Sequence, residues 1–181
     1  MVAEKKVKEG LGLVQVYTGN GKGKTTAALG LVMRALGNGL KVAMVQFMKP
    51  DQGSGEYVMS GKLENFTLIP CGPDHLVDPK NITDVDRKAS RKALETVKEL
   101  LYSDKYDLFI IDEINVAMGW KLIDVDEVRK ILSNRPKNIE VVMTGRYAPD
   151  GIIEFADLVT EMRMIKHPYE KGIGSRKGIE S

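Results

Sequence analysis

The residues with the clearest capacity for chemistry stand together at positions 18–26, TGNGKGKTT. Gly19, Gly21 and Gly23 can take positive φ and let backbone N–H groups approach an anion closely. Asn20 sits among them, and Lys22 and Lys24 add full positive charges. Thr25 puts a hydroxyl where a phosphate-bound Mg²⁺ would sit, and Thr26 follows it. This chemistry is the binding of a polyphosphate. The general rule GxxxxGK[ST] wants a glycine at position 18, where this chain has Thr18. The Gly23-Lys24-Thr25 half is intact. A bare glycine turn between strand and helix would need neither the second lysine nor the paired threonines.

A second candidate is Asp112-Glu113, after the apolar run Leu108-Phe109-Ile110-Ile111. One carboxylate there can complete a Mg²⁺ shell while the other holds a water or a backbone group. Alone, such an acid would more often cap a helix; paired with a phosphate loop, the metal role is the better reading. Arg146, in Thr144-Gly145-Arg146, is a fixed cation with five donors, suited to a phosphate or a ribose, or to a surface salt bridge. Lys49 follows an apolar strand and could reach a phosphate or be solvated. His167 could act as an acid or base near neutral pH, but a structural or surface role fits better. Met118 and Trp120 could line a flat ligand site or serve as helix core or dimer contact. No Ser/His/Asp triad and no cluster of His and Cys ligands is visible.

These residues need elements to hold them. An apolar strand at about 13–17 runs into the loop, and a helix follows to Leu36, closed by Gly37 and Gly39. Further strands are expected at 41–48, 65–69, 107–112, 139–144 and 158–162. Pro50 to Gly55 reads as a loop, with a helical turn at 56–60 after it. Residues 70–83 read as an irregular loop. Asp84 is the expected N-cap of a helix with Val85, Ala89, Ala93, Val97, Leu100 and Leu101 on its apolar face. Another helix begins at Asp124, and Pro149 opens a short one. Strands alternating with helices imply an α/β fold, a mostly parallel sheet with helices on both faces. Ligands then bind outside the carboxyl ends of the strands. The loop at 18–26, the acids at 112–113 and Thr144-Gly145-Arg146 all fall at such ends.

Length and composition set outer bounds. The 181 residues suit one domain, 1–181, with a charged lead-in at 1–10 and a basic tail at 163–181. A net charge of +2, without a Lys/Arg stripe, gives no footprint for nucleic acid. No apolar run approaches the ~20 residues of a membrane-spanning helix, and the first ten residues lack a signal-peptide core. Cys71 is the only cysteine, which excludes an internal disulfide and fits a cytoplasmic location.

The chain resembles the P-loop ATP:corrinoid adenosyltransferases, and the shifted loop carries the resemblance. Gly19 to Thr25, flanked by Thr18 and Thr26, is similar to that family's form of the phosphate loop, without the first glycine. Similar segments follow in order: Val45-Gln46-Phe47-Met48-Lys49, Gly55-Glu56, Asp112-Glu113-Ile114-Asn115, Thr144-Gly145-Arg146, and residues 156–162, 166–173 and 177–180. The resemblance implies a P-loop NTPase-like (RecA-like) fold and transfer of the 5′-deoxyadenosyl group of ATP to the Co(I) of a reduced corrinoid, releasing triphosphate. It implies Gly19, Asn20, Gly21, Lys22, Gly23, Lys24 and Thr25 as the ATP loop, and Thr25 and Glu113 as ligands of Mg²⁺ or Mn²⁺. It also implies a homodimer and a reductase that supplies the electron. Lys22 and Lys24 would stabilise the departing triphosphate, with Thr26 and Arg146 in the nucleotide site. Such a reaction needs no protein nucleophile, because Co(I) attacks C5′. The chain departs from the family at Gly72-Pro73-Asp74-His75, where members often carry a Phe and a Trp that help displace the lower cobalt ligand. Leu76 or Val77, on a loop that orders when corrinoid binds, is expected to replace them. The N-terminus is also shorter than the helical lead of some members. Two rival readings are a P-loop small-molecule kinase and a non-catalytic ATP-binding switch.

Overall fold

The computed structural model describes residues 8–50 and 53–180. The expected lead-in at 1–10 thus falls largely outside the described residues, as do two positions of the loop after Pro50. The elements in chain order are β1 (Val14–Thr18), α1 (Lys24–Gly37), β2 (Val42–Phe47), α2 (Gly55–Ser60), β3 (Phe66–Cys71), α3 (Asp84–Leu101), β4 (Leu108–Asp112), α4 (Ile114–Gly119), α5 (Val125–Ser133), β5 (Glu140–Thr144), α6 (Asp150–Phe155) and β6 (Leu158–Glu161). A 3₁₀ turn, Pro168–Lys171, lies in the tail.

The strands form one six-stranded sheet in the order β3-β2-β4-β5-β1-β6, every neighbouring pair parallel. The inner strands β2, β4 and β5 are buried along their whole length, which is why they read as continuous apolar runs rather than alternations. Two apolar clusters line the two faces. One gathers Ala28, Val32 and Ala35 of α1 with Met44, Ile110 and Val142. The other gathers α3, α4 and α5 with Val45, Phe109, Val141 and Met143. Each strand therefore sends alternate side chains to opposite layers.

Several boundaries differ from the sequence reading. β3 extends through Pro70 to Cys71, which an edge strand with one neighbour permits, because its outer side needs no N–H donor. The N-cap of α3 is Thr83 rather than Asp84: the Thr83 hydroxyl accepts from the Asp86 amide, and Asp86 accepts from the Thr83 amide. That capping box draws Asp86 inward. The buried stripe of α3 is accordingly Asp86, Ser90, Ala93, Leu94, Val97 and Leu101, while Val85 is exposed. The short helix α4 has no strong sequence signal, because its residues are buried nearly all round and lack helical alternation.

Candidate active site

Thr18, Asp112 and Thr144 end β1, β4 and β5, so the topology brings three of the predicted features to one edge of the sheet. The loop after β1 packs against the chain leaving β6. The Gly21 amide donates to the Met162 carbonyl at 2.6 Å. A Cβ on Gly21 would stand 2.7 Å from the Arg163 carbonyl oxygen and 2.8 Å from that of Met162. Gly19 and Gly23 have the expected positive φ, but Gly21 does not; it must be glycine because two backbones meet there.

Lys24 opens α1 and is only 7% exposed. Its ammonium donates to the carbonyls of Gly19 at 2.8 Å and Gly21 at 2.7 Å, so the side chain folds back over its own loop. Burial holds its pKa below the ordinary lysine value, partly offset by Glu113. Thr25 donates to Asp112 Oδ1 at 2.8 Å. Asn20, Lys22, Thr26 and Arg146 are exposed around this mouth. A cavity of about 300 Å³ joins Gly21–Thr26 to Glu113, Arg146, His167, Ile179 and Glu180.

Asp112 is fully buried and works as a hub. Its Oδ1 accepts from Thr25 and, at 2.6 Å, from Thr144; its Oδ2 accepts from Gln46 Nε2 at 3.1 Å and pairs with Lys49 at 3.1 Å. A buried carboxylate is tolerated only when its lone pairs are occupied in this way. Lys49, partly exposed, is held by two acids rather than left free: it also pairs with Glu56 at 3.3 Å. Burial lowers the Lys49 pKa, but Asp112 and Glu56 outweigh it and hold it above the ordinary value.

Glu113 sits one residue further on with φ of 61°, a conformation rare for a residue with a side chain. The Thr144 hydroxyl accepts from its amide at 3.0 Å, which fixes that turn. The turn sends Glu113 into the cavity while Asp112 stays beneath it. Burial, and then the neighbouring Asp112, push its pKa upward. Glu113 also borders a pocket of about 360 Å³ with Phe47, Met48, Trp120, Arg146 and Tyr147, and a larger one of about 510 Å³ between α1 and α2.

The structure thus brings together the loop, Glu113 and Arg146. It places Met118 in the core and Trp120 at a pocket rim. His167 caps the tail turn, its Nδ1 accepting from the Tyr169 amide, and also lines the loop cavity. Gln46, which joins Asp112 to Glu56 Oε1 at 3.1 Å, has no role in the sequence reading. Its one signal was a polar amide inside an otherwise apolar strand, VAMVQF.

Among the described residues no group of three or more His, Cys, Asp and Glu side chains could hold a metal alone. The donors near the loop are oxygens: the Thr25 hydroxyl and the acids after β4. That set fits a hard cation sharing its shell with phosphate oxygens.

The parallel sheet, the glycine loop leading into α1 and the acids after β4 define a P-loop NTPase-like protein of the RecA-like kind. The flagellar accessory protein FlaH of Methanocaldococcus jannaschii shares the fold, with a TM-score of 0.53 and 13% identity, over 89% of this chain and 76% of that one. The model of the family ATP:corrinoid adenosyltransferase BtuR/CobO/CobP matches residues 10–181. A corrinoid adenosyltransferase of a Sinorhizobium species is 38% identical over 175 residues, 93% of this chain and 80% of that protein. Those of Pseudomonas aeruginosa and Escherichia coli K12 are 36% and 34% identical, again over 93% of this chain and over 83% and 85% of their own lengths. The chain belongs to the ATP:corrinoid adenosyltransferase family.

Proposed function

We propose that this protein transfers the 5′-deoxyadenosyl group of ATP to the cobalt of a reduced corrinoid. The Co(I) electron pair forms the cobalt–C5′ bond, the C5′–oxygen bond breaks, and inorganic triphosphate leaves with the bonding pair. The observation that carries the reading is the shifted loop, Gly19 to Thr25, folded at the end of β1 in a chain that matches the family from residue 10.

In this reading the loop serves the leaving group. The Lys24 ammonium exchanges the Gly19 and Gly21 carbonyls for phosphate oxygens, and Lys22 and Arg146 add charge from the rim. Such donors accelerate the reaction to the extent that they meet charge which develops as the bond breaks. Thr25 and Glu113 would hold Mg²⁺ or Mn²⁺, which supplies charge neutralisation on the phosphates when bound. Asp112 then acts from behind, fixing the Thr25 hydroxyl. The reading extends to a homodimer, a reductase partner and a cytoplasmic location, drawn from the resemblance and from cysteine usage. Among the described residues no helix is long and apolar enough to cross a membrane.

The test mixes the protein with ATP, Mg²⁺, a corrinoid and a strong reductant. The expected result is a visible spectrum that reverts on exposure to light, because an adenosyl–cobalt bond is photolabile, with triphosphate as the other product. ADP as product would point to a kinase, and binding without turnover to a switch. Glu113→Gln is expected to raise the metal concentration needed for half-maximal activity. Overlaying titrations of parent and variant would move the ligand role to Asp112.

A further inference from the structure

The tail returns to the loop. Residues 176–180 form one tight turn, with the amides of Ile179 and Glu180 donating to the Arg176 carbonyl at 3.1 and 2.9 Å. The Glu180 carboxylate closes it by accepting from the Arg176 amide at 2.9 Å, from Nε at 3.1 Å and from Nη2 at 2.8 Å. Ile179 and Glu180 line the cavity that holds Gly21–Thr26, and the Glu180 carboxylate is close enough to Lys22 to feel its charge. Arg176 stands one hydrogen bond behind it. Those Arg176 bonds hold the Glu180 carboxyl down at about 2, and Lys22 is among the charges that lower it.

A carboxylate in that cavity balances basic charge and opposes a polyphosphate. Two anions in one cavity repel, and because Glu180 is exposed to solvent the repulsion is a screened, modest one. The guanidinium has the opposite interest: its planar fork matches a phosphate at least as well as a carboxylate. We propose that the 176–180 turn is an anion-exchanged strap: Glu180 stands in for phosphate, and a polyphosphate entering the cavity displaces it and takes Arg176 as an added ligand. Arg176 is then a nucleotide-positioning residue, and Glu180 sets a threshold that only a strongly charged ligand overcomes. The inference rests on reading the loop as a triphosphate site.

The decisive feature is sign. If the pair only staples the tail, removing either partner moves binding in the same direction. If it exchanges, the two variants move in opposite directions. The experiment is calorimetric binding of inorganic tripolyphosphate, and of ATP, to the full chain and to Glu180→Gln, Arg176→Ala and Arg176→Lys, with melting curves to confirm folding. Glu180→Gln is expected to tighten both ligands by about 3- to 10-fold, the scale of one removed like charge. Arg176→Ala is expected to weaken both by roughly tenfold, the loss of one charge-assisted contact, with Arg176→Lys between it and the parent. Equal affinities for parent and Glu180→Gln, or the same sign for Glu180→Gln and Arg176→Ala, would overturn the strap while leaving the triphosphate site intact. A parent that binds neither ligand would overturn both.

Discussion

Two loops leave parallel strands at the same edge of the sheet, and they are held in opposite ways. The loop after β1 is fixed through its backbone groups: the Gly19 and Gly21 carbonyls accept from the Lys24 ammonium, and the Gly21 backbone lies against residues 162–163. The loop after β3, residues 72–83, is fixed by side chains. His75 Nε2 meets Asp86 Oδ1 at 2.9 Å, and Val77 is buried at 6% exposure. Between those anchors Leu76 stands 94% exposed. The two loops share one device, a glycine where backbones touch: a Cβ on Gly72 would lie 2.5 Å from the Lys49 amide nitrogen. A backbone-built loop can keep its shape while its side chains reach for a ligand. A loop pinned by side chains spends them on its own shape and leaves few free to bind.

The contrast is tested most severely at Lys24. If the first loop exists to bind charge, Lys24→Ala should lower the rate by roughly 10²–10³, as removing one donor from a developing anion does elsewhere. A rate within about twofold of the parent at saturating ATP would break the comparison, because Lys24 would then merely staple the loop.

Gly21→Ala asks whether backbone packing sets the geometry. The added methyl would meet two carbonyl oxygens and push the loop away from residues 162–163. A displacement of about 1 Å can cost up to about 10²-fold, so a rise of roughly 10- to 100-fold in the KM for ATP is expected. The melting temperature should fall less, since the loop lies outside both apolar clusters. An unchanged KM would show that the loop can shift freely.

The second loop should instead respond in stability. Asp86 accepts from the Thr83 amide and hydroxyl, and it receives His75 as well. Asp86→Ala should cost about 1–2 kcal/mol at neutral pH, the range of a lost helix cap. The Thr83 amide, with help from the Thr83 hydroxyl and His75, holds the Asp86 pKa below the ordinary carboxylate value despite burial. A depressed pKa stabilises the fold above the unfolded-state value, about 3.9, and that contribution is lost as pH falls through the folded value. Unfolding free energies of parent and variant should therefore converge in acid. A gap that stays constant from pH 7 to pH 3 would show that the carboxylate's charge plays no part.

The same contrast explains what the sequence could reveal. Glycines, lysines and threonines of the first loop announce themselves by type and spacing, and strands β2, β4 and β5 by predominantly apolar runs. The division of labour between Asp112 and Glu113 was not legible from residue types, and only the resemblance singled out Glu113. That division depends on Glu113 taking a positive φ beside Thr144, a contact 31 positions away in sequence. The capture of Lys49 by Asp112 and Glu56 is hidden for a similar reason, because Asp112 comes from a distant strand. The second loop was misread in its detail: Asp84 looks like the cap, but Thr83 takes the part once Asp86 turns inward.

The smallest effect is expected at Leu76, where the comparison is sharpest. Val77 and Pro73 are buried and Ile82 partly so, which leaves Leu76 as the exposed large apolar side chain of its loop. The family that the chain resembles often carries a Phe and a Trp near this point to help displace the lower cobalt ligand, and this chain lacks them. A corrinoid is a broad, partly apolar ring, and an exposed leucine against it would bury a few methylene groups. Leu76→Ala should lower the adenosylation rate of cobalamin by roughly fivefold, the value of about 1 kcal/mol of apolar contact. Cobinamide has no lower base to displace, so its rate should change less. Equal losses on both corrinoids would make Leu76 a general contact rather than a wedge. No loss on either would leave the second loop purely structural, and the corrinoid would then be held elsewhere, with the pocket bordered by Glu113, Trp120 and Tyr147 as the next place to test.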